Sequence, residues 1–97
     1  MDDIRPPVAQ GSTRFLDELR LHIRQNGLAY RTEQTYLFWI KNFIRFHSRQ
    51  HPKHLGSHEI EAFLSHLAEQ RNCSVSTQRI ALNALVYMYK RFMGVDV

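Results

Sequence analysis

The chain has 97 residues, 43% of them hydrophobic, and a formal net charge of +4. That length makes one small domain with a modest core, and no stretch approaches the about 18 consecutive apolar residues of a membrane span. The opening residues MDDIRPPVAQGST lack the apolar segment of a signal peptide, and the single cysteine, Cys73, cannot close an internal disulfide. Both features point to a reducing, cytoplasmic setting and no membrane partner.

Residues 1–12 read as a flexible lead-in. A first helix is predicted from Ser12 or Thr13, either of which can cap free backbone N–H groups. Phe15, Leu19 and Ile23 recur every four residues as one apolar stripe, and Gly27 is a natural left-handed stop. A second helix is predicted from Thr32 to about Arg49. Tyr36, Trp39, Ile40, Phe43, Ile44 and His47 share its inner face, while Gln34, Lys41, Asn42, Arg45 and Arg49 share the other, with Phe38 among them. Pro52 and Gly56 mark a loop. Ser57 is expected to cap a third helix, with Glu59 and Glu61 in its first turn and Ile60, Phe63, Leu64 and Leu67 in its core stripe. A fourth helix is expected to start after Ser74 or Ser76 and to end at Gly94. Its inner stripe is Ile80, Ala81, Ala84, Leu85, Met88 and Phe92; its outer stripe is Ser76, Arg79, Asn83, Tyr87 and Lys90. No strand-like alternation competes, so the fold class is all-α, a compact four-helix bundle. Residues 13–94 form the domain, and 95–97 read as the start of a linker.

The positive charge is unevenly spread. The segment 31–54 sets Arg31, Lys41, Arg45, Arg49 and Lys53 against Glu33 alone, and 74–97 sets Arg79, Lys90 and Arg91 against Asp96. Between them, 55–73 sets Arg71 against Glu59, Glu61 and Glu69. The two basic segments coincide with the outer stripes of the second and fourth helices. Lys41, Arg45 and Arg49, spaced by four, suit phosphates; Arg31, Gln34 and Thr35 suit base edges. A basic stripe taken alone is more often a solvated face, but a second stripe of the same residue types makes that reading less satisfactory.

Other patterns carry less. His47, His51, His54 and His58 have metal-like spacing, but Pro52 and Gly56 interrupt them and no cysteine or carboxylate completes a set, so no metal or other cofactor is expected. Trp39, Phe43 and Phe46 at these intervals read as packed core. No phosphate loop, paired nucleophile or carboxylate dyad is present, and the acids fall mostly on exposed helix positions, so neither a catalytic residue nor a small-molecule substrate is expected.

The segments RTEQTYLFWIKNFIRFH, the HP after them, IEAFLSHLA and VSTQRIALNALVYMYKRFMG resemble, in that order, the N-terminal core-binding domain of tyrosine recombinases, and integron integrases in particular. The resemblance spans about residues 13–94. It implies a SAM-like four-helix domain forming half of a clamp on a recombination site, with the second and fourth helices at the major groove and other recombinase protomers as partners in a DNA-bound tetramer. Carried over by position, the implied DNA contacts are Arg31, Thr32, Gln34, Thr35, Lys41 and Arg45, then Ser76, Gln78, Arg79, Asn83 and Lys90. The family's tyrosine nucleophile belongs to a separate C-terminal domain, so Tyr30, Tyr36, Tyr87 and Tyr89 are not expected to cut DNA and the chain alone is not expected to be an enzyme. The competing expectation is a helical protein-interaction module in which Phe38 and Tyr87 anchor a partner helix.

Overall fold

A computed structural model describes residues 11–97, with side-chain burial from residue 14. Residues 1–10 of the expected lead-in lie outside the described residues, and Gly11 and Ser12 already belong to the first helix. The elements are α1 (Gly11–Gln25), α2 (Tyr30–Phe46), a 3-10 turn (Pro52–His54), α3 (Ser57–Glu69) and α4 (Val75–Val86), the last prolonged by a π-helical segment (Tyr87–Phe92). The fold is an all-α bundle with no strand among the described residues.

The apolar stripes build the core. Leu19 and Ile23 of α1, Ile40 and Phe43 of α2, Phe63 and Leu67 of α3, and Ala81, Ala84, Leu85 and Met88 of α4 are all buried. Each large apolar side chain removed from water in this way contributes about 1.5–3 kcal/mol. The rings of Phe43, Phe63 and Tyr89 meet edge-on, with centroids 5.6 Å apart for Phe43–Phe63 and 6.4 Å for Phe43–Tyr89. That geometry sets the positive edge of one ring against the negative face of the next.

The stops are chemical. Gly27 (φ +74°) and Gly94 (φ +71°) end α1 and the π-helical segment in the left-handed region, which costs glycine nothing. α2 begins at Tyr30, two residues before the expected Thr32, and ends at Phe46 rather than Arg49. There Ser48 and Arg49 turn left-handed at φ +60° and +62°. Ser74 caps α4 by accepting the Thr77 N–H at 3.1 Å. Ser57 does not cap α3: it lies inside the helix, and the Glu59 carboxylate instead accepts the Gly56 N–H at 2.8 Å.

Three stripe assignments change. Ile80, expected inside, is 42% exposed, and Tyr87, expected outside, is 9% exposed. Trp39 and Phe43 are core, but Phe46, grouped with them, is 39% exposed. Tyr87 keeps α-helical register, its N–H bonding to the Asn83 carbonyl, and is covered by its neighbours. Its ring meets those of His22 at 5.7 Å and Tyr36 at 5.4 Å, and its hydroxyl shares a 2.9 Å hydrogen bond with His22 Nδ1 of α1. Beyond it the helix widens to longer-range bonding, with the Met93 N–H donating to the Met88 carbonyl at 2.9 Å, which shifts the phase of the residues that follow. Tyr89 donates to the Pro52 carbonyl at 2.7 Å. Burial pushes the pKa of both phenols up.

Candidate nucleic-acid interface

The outer face of α2 is built from Gln34, Phe38, Lys41 and Arg45, spaced by three and four so that they lie in one row. Beside this row, α1 presents Arg20 and Arg24, which follow Leu19 and Ile23 by one residue each and so flank the α1 core stripe. The two walls enclose an open groove of about 540 Å³ lined by both arginines together with Tyr30, Glu33, Gln34, Leu37, Phe38, Lys41, Asn42 and Arg45.

Glu33 forms the groove's floor and is only 3% exposed. A buried carboxylate is tolerated when charged donors surround it. Here Arg24 Nε donates to Oε1 at 2.8 Å and Nη2 to Oε2 at 3.0 Å, and Arg20 Nε stands 3.6 Å from Oε2. The bidentate pair fixes the plane of the Arg24 guanidinium, and the same hydrogen bonding raises its pKa further. Two of its donors are committed to Glu33, and the rest stay free for a ligand anion. Set against one carboxylate that is already paired, the groove carries Arg20, Arg24, Lys41 and Arg45.

Phe38, on the same row, is 51% exposed, its ring edge-on to Trp39 at 4.9 Å. Gln34 Nε2 donates to the Tyr30 hydroxyl at 3.1 Å. The groove thus combines cations, amides and two exposed aromatic rings, the donor set that suits a sugar–phosphate chain and its bases.

The residues expected at a DNA contact are only partly assembled. Gln34, Lys41 and Arg45 share the groove; Arg31 is exposed on the first turn of α2, and Thr32 and Thr35 are half-buried on its flank. On α4, Ser76, Arg79, Asn83 and Lys90 are exposed but do not line this groove. Gln78 is half-buried, its amide donating to the Cys73 carbonyl at 3.0 Å. Tyr87 is unavailable as a surface anchor because its hydroxyl is engaged with His22. Sequence reasoning missed Arg20, Arg24 and the burial of Glu33. The available signal was that two arginines four apart border an apolar stripe.

Among the described residues no three His, Cys, Asp or Glu side chains gather as a metal site would require. His47 Nε2 donates to the Glu59 carbonyl at 2.9 Å, and His51 Nδ1 accepts the Lys53 N–H at 3.1 Å. No helix among the described residues is long and apolar enough to cross a membrane.

This fold and this site define a small all-α domain with a basic groove between two helices. Residues 15–97 match the family model described as phage integrase, N-terminal SAM-like domain, and the chain belongs to that family. It is 49% identical over 92 residues to proteins named "Integrase/recombinase" from Escherichia coli and Pseudomonas aeruginosa. The alignment covers 95% of this chain and 27% of each relative, so the chain spans about a quarter of their length.

Proposed function

We propose that this chain is the DNA-binding, core-binding domain of a site-specific tyrosine recombinase of the integron-integrase type, and that it forms half of a clamp on the recombination site. The observation that carries this reading is the α1/α2 groove, where four bases face one buried, already paired carboxylate beside exposed Phe38 and Tyr30. Membership of the integrase family and the relatives' names support it. In this reading Arg24, held rigid by Glu33, and Arg20 meet one phosphate, while Lys41 and Arg45 meet the next and Gln34 and Asn42 reach toward base edges. Arg31, Thr32 and Thr35 extend the contact along α2, and Ser76, Gln78, Arg79, Asn83 and Lys90 supply a second, thinner row from α4. Cleavage belongs to a catalytic domain elsewhere in the full-length recombinase, which works in the cytoplasm with other protomers as partners.

Fluorescence anisotropy with a labelled duplex across a salt series tests the reading. Affinity falls with salt at a log–log slope of a few units. The Lys41→Ala/Arg45→Ala pair weakens binding more than Arg79→Ala/Lys90→Ala, and the four together abolish it, with circular dichroism unchanged. Wild-type binding by the Lys41/Arg45 pair would sink the assignment of the groove.

A further inference from the structure

Phe46, the last residue of α2, is left exposed although it belongs to the most aromatic helix of the chain. Its ring lies 4.7 Å from that of His66 of α3, with planes only 31° apart, and 5.5 Å from Phe63. This pair floors a second groove, of about 180 Å³, between α2 and α3, lined by Asn42, Arg45, Phe46, Phe63, His66 and Arg71. Two guanidiniums stand on its rim, and no carboxylate lines it.

Arg45 belongs to both grooves, and also to a smaller recess with Leu16, Lys41, Ile44 and Arg49. It therefore stands on the ridge that separates the α1 side of α2 from the α3 side. A floor of two aromatic rings beneath a cationic rim matches a sugar–phosphate unit. The ring faces receive the apolar side of the sugar, and the guanidiniums receive the phosphate in fork geometry. A protein occupant would need acids placed to match Arg45 and Arg71, whereas a phosphodiester carries that charge in its own backbone.

We propose that the α2/α3 groove holds a second phosphodiester of the DNA bound in the α1/α2 groove, with Arg45 spanning the two and Arg71 closing the far side. The inference rests on the reading that this chain binds DNA. It extends the contact across α2 onto α3, a helix to which neither the charge pattern nor the family resemblance assigns DNA contacts.

The test is a salt series by fluorescence anisotropy with a fluorescein-labelled, mixed-sequence duplex, comparing the wild-type chain with Arg71→Gln, His66→Gln and Arg14→Gln. Arg71 is exposed and its removal spares the core. Arg14, whose side chain is 85% exposed and pairs with Glu18 at 3.9 Å, is the control outside the grooves. Arg71→Gln is expected to weaken binding roughly five- to tenfold near 0.1 M salt and to lower the log–log slope by about one, as loss of one phosphate contact requires. His66→Gln, which removes a ring from the floor, is expected to weaken binding with the slope unchanged, and Arg14→Gln to match the wild type. If Arg71→Gln matches the wild type while the Lys41/Arg45 pair is weakened, the second contact is wrong and the α1/α2 reading stands. If the wild-type chain shows no salt-dependent binding, the DNA reading falls and this inference falls with it.

Discussion

α2 and α4 carry outer stripes of the same composition, yet the bundle treats them differently. The α2 stripe stands between neighbours: α1 adds Arg20 and Arg24 on one side, α3 and the turn after it add His66 and Arg71 on the other, and its cations line shared grooves. The α4 stripe is exposed without such company, and toward its C-terminal end the helix becomes core on nearly every side, with Ala84, Leu85, Tyr87, Met88 and Tyr89 all buried. The difference shows that a basic stripe lines a groove when adjacent elements supply walls and additional charge. Surface position gives a helix access to a ligand, and its neighbours decide whether that ligand has somewhere to sit.

If α4 is chiefly a packing element and α2 chiefly a binding one, their substitutions separate cleanly. Leu85→Ala, at a fully buried position, is expected to destabilise the domain by about 2–5 kcal/mol in urea unfolding. Loss of Lys41 and Arg45, both exposed, is expected to change stability by less than about 0.5 kcal/mol. Similar unfolding midpoints for the two variants would remove the distinction. A smaller effect reads the junction of α1 with the end of α4. Tyr87→Phe deletes the hydroxyl bonded to His22 and is expected to cost about 0.5–1.5 kcal/mol. No loss would place Tyr87 back among the outer residues.

The smallest effect lies in the connection between α2 and α3. Burial, then Lys53 and His54, lowers the His51 pKa below its ordinary value, and its ring packs edge-on against Phe15 with centroids 4.8 Å apart. Hydrogen bonding from the Gly56 N–H lowers that of Glu59. Both groups take up protons more readily in the unfolded chain, so each contributes stability that is present above its unfolded pKa and lost as pH falls through its folded one. Thermal melting is expected to decline first just below the ordinary histidine value of about 6.5 and again within the carboxylate range. His51→Asn removes only the first decline, and an unchanged profile in that variant excludes His51 as its source.

Much of this was legible from spacing. Phe15, Leu19 and Ile23 announced the inner face of α1, Gly27 and Gly94 their stops, and Ser74 the start of α4. Gln34, Lys41 and Arg45 were correctly grouped because helical periodicity decides which side chains share a face. Helical periodicity failed at Tyr87, because His22 of α1 and Tyr36 of α2 pack against its ring, contacts that no spacing within α4 marks. It also failed at Phe46, whose aromatic character promised a core that ends one turn too soon to cover it.

Local pattern was therefore sufficient for four helices, most of their apolar stripes, the basic face of α2 and the family resemblance, since each depends on residues near one another in the chain. The burial of Glu33 under Arg24, the union of Arg20 and Arg24 with Lys41 and Arg45, and the position of Arg45 between two grooves required the packed bundle. Those features depend on which helix lies beside which, and a carboxylate that is an ordinary surface charge on an isolated α2 becomes the floor of a groove only when α1 closes over it.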